Sequence, residues 1–207
     1  TNVRTMIAAI VPAAAFGNTL PLLAIDDAKI AVLILANLNS FAFDFLARQK
    51  VQGQHLNWYI LEQIPVIAPA AYEAEIGGVR IADFIRNEVL ALSYTAHDLA
   101  PFARDLGYVD EQGAVKPPYL WSAADRKQRM ARLDALFFHL YGLSTAEADY
   151  ILSTFPIVAL HDQKAHGKFL TRDLILAQME AIADGKLIHA DLPIAAGELP
   201  SGQTLQG

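Results

Sequence analysis

The sequence predicts an α+β fold that is mostly helical, with a small sheet in the N-terminal third and a helical C-terminal unit. Three observations carry this. Apolar residues recur at steps of three and four through most of residues 26–185; two short stretches of strand composition, Thr5 to Pro12 and His55 to Ile60, lie within the first sixty residues; and Gly and Pro punctuate the intervals between them. At 207 residues, 54% hydrophobic and 18% charged, the chain is long enough to bury a sizeable core.

Thr5 to Pro12 reads as a buried strand ended by its Pro, followed by a loop marked by Gly17, Asn18 and Pro21. From Asp26 to Arg48, Ala31, Ile34, Leu35, Leu38, Phe41, Ala42, Phe45 and Leu46 form one stripe, and Lys29, Asn37, Ser40, Asp44 and Arg48 lie opposite. This predicts one amphipathic helix, capped by Asp26 or Asp27, with Asp44 spaced to pair with Arg48. Lys50 to Gln54 is a polar connector, and His55 to Ile60 a second strand on which Trp58 and Tyr59 face opposite ways. Pro65 and Pro69 close this first unit, residues 1–68, and the acidic stretch Tyr72 to Gly78 leads into a second, residues 79–185.

In the second unit the stripe Ile81, Ile85, Val89, Leu92 predicts a helix over 79–93. Thr95 or Asp98 caps a shorter one that tolerates Pro101 in its first turn and stops at Gly107. After a loop, Ser122 caps a helix with Met130, Leu133, Phe137 and Leu140 inward and Gly142 at its end. Ser144 and Glu147 form a capping box for a helix through Leu152, with Pro156 beyond its end, and a last helix runs from Thr171 to Gly185. Residues 186–207 read as an irregular tail.

Charge narrows the classes of function. The net charge of −6 argues against a whole-surface nucleic-acid binder. Residues 1–60 carry four Lys and Arg against three Asp and Glu, residues 61–115 three against nine, and residues 116–207 nine against ten, so the first sixty residues are where DNA is electrostatically permitted. The absence of Cys excludes disulfides and thiolate metal sites and suits a reducing cytoplasm. The longest apolar run, Ile30 to Ala36, is too short to cross a membrane. The chain lacks an initiator Met and opens as if inside a structural element, which reads as a fragment of something longer.

No catalytic set stands out. Lys116, Pro117, Pro118 and Tyr119 imitate the tetrapeptide of amino methyltransferases, but its first residue must accept a hydrogen bond from the target amine, and a Lys ammonium only donates. No Gly-rich loop follows a strand, so no nucleotide cofactor is expected in the fragment itself. His161 and His166 are five apart, off one helical face, and read as loop histidines rather than a zinc site. The acid and Lys pairs Asp27 with Lys29 and Asp162 with Lys164 read as a helix start and a solvated loop, not as a metal nuclease. No metal and no catalytic residue is assigned.

Asn39 to Lys50, then Gly53, His55, Leu56, Asn57 and Ile60 to Pro65, resemble the end of the target-recognition domain in type IIG-like restriction-modification enzymes and related phage-defence adenine methyltransferases. Arg4 to Pro12 with Phe16, Gly17 and Asn18 is similar to the preceding strand of that group. Arg126, Arg132 to Ala135, Leu140 to Leu143 and Asp149 to Pro156 are similar to its helical C-terminal region, so the resemblance extends to about residue 184. It implies an upstream domain that binds S-adenosylmethionine and bears the catalytic tetrapeptide, often preceded by a nuclease. This chain would then supply DNA recognition and scaffolding to an adenine-N6 DNA methyltransferase that flips its target base.

On that reading double-stranded DNA meets Arg48, Lys50, Gln52, Gly53, Gln54, His55 and Asn57, residue types suited to phosphates and base edges. The same composition suits an ordinary polar connector. Arg126, Lys127, Arg129 and Arg132 put positive charge on one helix, expected to meet the acidic segment 73–111, with Asp125 pairing Arg129. Two other readings stay open: a helical protein–protein interaction module, and, weakest, a free-standing hydrolase.

Overall fold

A computed structural model of the chain describes residues 3–12, 21–51 and 56–187. The fold is α+β and mostly helical, with one two-stranded antiparallel sheet among the described residues. Its strands are not the ones expected. The stretch 26–48 is two helices, α1 (Ala28–Leu38) and α2 (Phe41–Lys50), bent by 65° at Asn39 and Ser40. Asp27 caps α1 by accepting from the Lys29 N–H, and Ser40 caps α2 by accepting from the Phe43 N–H.

The bend changes which side chains are inside. Asn37, Ser40 and Asp44, expected on the polar face, are all buried. Asn37 donates to the Tyr141 hydroxyl at 2.8 Å and accepts from the Ile67 N–H at 2.8 Å, tying the Pro65 to Ala68 segment to the bundle. A buried amide satisfied on both ends costs little, whereas an unpaired one would cost about 1–3 kcal/mol.

Thr5 to Pro12 belongs to no sheet, and all of it is half-buried or exposed. Its Met6 and Ala8 rest on a small apolar cluster of Leu38, Phe43, Ala47 and Ile64. The second expected strand is instead a helical turn, α3 (Trp58–Leu61), with His55 outside the described residues. Ile60 and Ile64, four apart, are buried, which is a helical spacing rather than a strand's.

The only described sheet is the hairpin of β1 (Glu75–Ile76) and β2 (Val79–Arg80), inside the stretch expected to be a passage between units. Gly77 and Gly78 both take positive φ, as a two-residue hairpin turn of this hand requires. A Cβ on Gly77 would also lie 2.6 Å from the Gly185 carbonyl oxygen, while one on Gly78 meets nothing. Gly77→Ala is therefore expected to lower the urea midpoint more than Gly78→Ala, which carries only the backbone cost of about 1 kcal/mol; equal effects would remove the argument from close approach.

Beyond the hairpin, α4 (Ile81–Ser93) matches its predicted stripe, and a short 3₁₀ turn at His97–Leu99 leads into α5 (Ala100–Asp105), with Pro101 in its first turn and Gly107 at positive φ after it. Ser122 caps α6 (Ala123–Leu140), and the Ser144 and Glu147 box caps α7 (Thr145–Ser153), as expected. Pro156 does not mark a stop. It opens α8 (Pro156–His166), a helix read from the sequence as a loop, which ends at Gly167; α9 (Leu170–Ala183) follows and ends before Gly185 at positive φ. The expected tail lies outside the described residues from 188 onward.

Helix α6 is the axis of the molecule and packs chiefly on α9, and also on α4 and α2. Its residues 131–138 are all buried while Met130 is exposed, so the expected one-sided stripe does not describe it. A helix covered on several sides shows no clean period. One core joins Val32 and Ala36 of α1, Phe41 of α2, Ile85 of α4, Phe137 of α6, Leu152 of α7 and Ile175 of α9. Residues of α1 and α2 therefore share a core with residues of α4, α6, α7 and α9.

Candidate nucleic-acid interface

Of the residues expected to meet DNA, Arg48 and Lys50 lie in the last turn of α2 and Asn57 at the start of α3. Gln52, Gly53, Gln54 and His55 lie outside the described residues. Lys50 ends α2, exposed, with no ion pair among the described residues, and it also complements the negative end of the α2 dipole. Asn57 occupies the N-cap position of α3, exposed, with no capping bond from its side chain.

Trp58 and Tyr59 follow it, 41% and 63% exposed. The alternation expected of a strand would have buried one ring; a helical turn anchored by Ile60 and Ile64 turns both outward. An exposed ammonium, an exposed amide and two exposed rings suit phosphate, base edge and base face respectively. Glu62, also exposed, borders the same corner with the opposite charge. The helical spacing of Ile60 and Ile64 was the sequence signal that both rings face solvent.

Arg48 is placed differently. Its guanidinium donates to the Thr154 carbonyl at 3.0 Å and the Val3 carbonyl at 3.2 Å, lies 3.2 Å from Asp44 Oδ2, and stacks 3.8 Å above the Phe155 ring. The group braces three segments, and its side chain is only 26% exposed.

Arg48 belongs to a buried polar cluster of which the sequence revealed only the pairing of Asp44 with Arg48. Asp44 Oδ1 accepts from the N–H groups of Thr5 at 2.7 Å and Met6 at 2.6 Å, and Arg4 bonds the Asn39 carbonyl while lying 3.9 Å over the Phe41 ring. Asp134, on α6, accepts from the Phe41 N–H at 2.7 Å. Burial raises the Asp134 carboxyl to about 6, against the pull of Arg4 and the Phe41 bond, with Asp44 adding to the rise.

The α6 cations are engaged inside the chain, but only Arg129 and Arg132 meet an acid of the segment 73–111 as expected. Arg129 Nε binds Asp125 at 2.7 Å; Arg129 and Arg132 both bind Glu88 on α4, at 3.3 Å and 3.1 Å. Arg126 donates to the Leu92 carbonyl at 2.5 Å and covers the exposed Trp121 ring at 4.0 Å, and Lys127 binds Asp162. Glu88 was legible in principle, because it stands three residues after Ile85 on the inward stripe of α4.

The remaining sequence candidates resolve as structure. Asp27 is a helix cap, and Asp162 is a buried residue of α8 that also accepts from the Thr171 N–H at 2.5 Å, not a solvated loop residue. His161 and His166 share α8, and His166 Nε2 lies 3.3 Å from Lys127 Nζ. Among the described residues no three His, Asp or Glu side chains are grouped to hold a metal. In the Lys116 to Tyr119 stretch, the Tyr94 hydroxyl donates to the Lys116 carbonyl at 3.0 Å, and the Tyr119 N–H donates to the Tyr94 carbonyl at 2.9 Å. The Tyr119 ring is buried 4.9 Å from that of Tyr108, so the tetrapeptide packs a loop.

No single helix among the described residues is long and apolar enough to cross a membrane. No family model, curated protein or solved structure matches the chain.

Proposed function

We propose that this chain is a DNA-recognition and scaffolding portion of a bacterial adenine-specific DNA methyltransferase of the restriction-modification type, in which the α2–α3 corner meets double-stranded DNA and S-adenosylmethionine chemistry is carried by an upstream methyltransferase domain. The observation that carries the reading is selective exposure. Lys50, Asn57, Trp58 and Tyr59 are all exposed, while Arg48 and the four α6 cations are engaged within the chain. The resemblance of residues 39–65 to a target-recognition domain supplies the ligand class, and the small apolar cluster of Leu38, Phe43, Ala47 and Ile64 supplies the support on which such a corner needs to sit.

The test is salt-dependent binding of the chain to duplex DNA, followed by fluorescence anisotropy. Lys50→Ala is expected to weaken binding on all sequences and to reduce the salt slope by about 1, as one lost phosphate contact does. Trp58→Ala with Asn57→Ala is expected to cost about 1–3 kcal/mol with an unchanged slope. Binding that ignores all three substitutions sinks the assignment.

A second reading rests on the exposed acids Asp98, Asp105, Asp110 and Glu111 around α5, a surface suited to a basic protein partner. Loss of assembly with such a partner in an Asp105→Asn, Glu111→Gln variant, with DNA binding intact, favours it.

A further inference from the structure

Residues 6–12 belong to no helix, turn or sheet, and their exposure alternates from Met6 to Val11 as along an extended chain. On the body side Ala8 is held as if by a strand: its N–H donates to Asn39 Oδ1 and its carbonyl accepts from Asn39 Nδ2, both at 3.0 Å, so the side-chain amide stands where a peptide group would. Peptide groups alternate direction along an extended chain, so the N–H and carbonyl groups of Ile7, Ala9 and Val11 point the other way. Those groups make no hydrogen bond among the described residues. The side chains alternate too: Met6 and Ala8 rest on the small apolar cluster, while Ile7 and Val11 are 68% and 43% exposed and Ala9 is exposed between them.

From Thr5 to Val11 there is no charge, no Pro and no Gly to discourage pairing. Proteins ordinarily block such an edge, because only another extended backbone matches its spacing of donors and acceptors. The free groups at 7, 9 and 11 are arranged symmetrically about Ala9.

We propose that this edge pairs with the same edge of a second copy of the chain, antiparallel about a two-fold axis through Ala9. In that register Ile7 stands opposite Val11 of the second copy and exchanges both backbone bonds with it, and Ala9 stands opposite Ala9. The outward groups of Ile7, Ala9 and Val11 are then satisfied, and each exposed β-branched side chain gains a cross-strand neighbour of its own kind. Pro12 ends the ladder without loss, because its missing N–H falls on the body side. The contact is far smaller than the roughly 800 Å² per partner of a standard interface, so the dimer is weak and concentration-dependent. The proposal is independent of the DNA reading.

Sedimentation equilibrium of the full chain from about 10 μM to about 1 mM tests it. A monomer–dimer equilibrium is expected. Ala9→Pro removes an outward N–H only and is expected to abolish the dimer while leaving the circular dichroism unchanged. A second pair of variants fixes the register without relying on Pro. I7K/V11K sets like charges opposite each other, whereas I7K/V11E sets Lys opposite Glu, and the second is expected to associate at least tenfold more tightly. A monomer throughout the range, which would leave the edge for a strand of another protein, overturns the proposal. So does a dimer that survives Ala9→Pro, equal behaviour of the two charge variants, or growth into larger assemblies.

Discussion

Glu88→Ala is expected to destabilise the chain by about 3–5 kcal/mol, the range for breaking a buried ion pair from one side. Glu88 is almost wholly buried between Arg129 and Arg132, with Arg132 Nε and Nη2 at 3.2 and 3.1 Å and Arg129 Nη1 at 3.3 Å. Removing the carboxylate deprives two buried guanidiniums of the acid they share, although Arg129 keeps Asp125. The triad links α4 to α6, so its loss loosens the contact around which the bundle is built. Burial outweighs both guanidiniums and raises the Glu88 carboxyl above its ordinary value, so the carboxylate is held at a cost. Glu88→Gln keeps the volume and is expected to fall between wild type and Glu88→Ala. Urea unfolding of the three proteins decides the matter, and a Glu88→Ala loss under about 1 kcal/mol would show that the triad holds little together.

The second large effect is in pH. The Asp134 carboxyl rises from 3.8 to about 6 in the folded chain, so between those values the folded state holds a proton that the unfolded state has released. Stability then falls as pH rises through the interval, and the contribution is gone above about 6. At 1.36 kcal/mol per pH unit the interval is worth roughly 3 kcal/mol. Asp83, Glu147, Asp149 and Asp162 have lowered values and act in the opposite sense, losing stabilisation as pH falls, so the total curve is a sum.

Asp134→Asn isolates the one group. Its amide oxygen can still accept from the Phe41 N–H, and it does not titrate. Wild type relative to Asp134→Asn is expected to lose roughly 3 kcal/mol between pH 4 and pH 7, read from urea midpoints at each pH. A pH-independent difference between the two proteins would mean that Asp134 ionises in the folded chain as it does unfolded.

The same residues show what local reading reaches. Asp27, Ser122 and the Ser144 and Glu147 box cap helices as their spacing dictates, and Gly107, Gly142 and Gly185 take the positive φ that ends or follows a helix. These are contacts within four residues, and sequence spacing encodes them directly. Pro156 was ambiguous at that range, because Pro is as much at home in the first turn of a helix as beyond the last. Ser40 carried a cap signal too, overridden in the reading by an apolar stripe that ran on through the bend.

The DNA candidates divide along the same line. Lys50 and Asn57 are exposed at a corner the sequence located, but Arg48, two residues before Lys50, is engaged by Val3, Thr154 and Phe155, from segments distant in sequence. By itself the sequence determined the helical class, most of the helix ends and the pairing of Asp125 with Arg129, because each depends on neighbours along the chain. Only the tertiary structure decided which charges are buried, which rings face solvent and which strand is left with an open edge, because burial and backbone pairing are set by residues brought together from far apart.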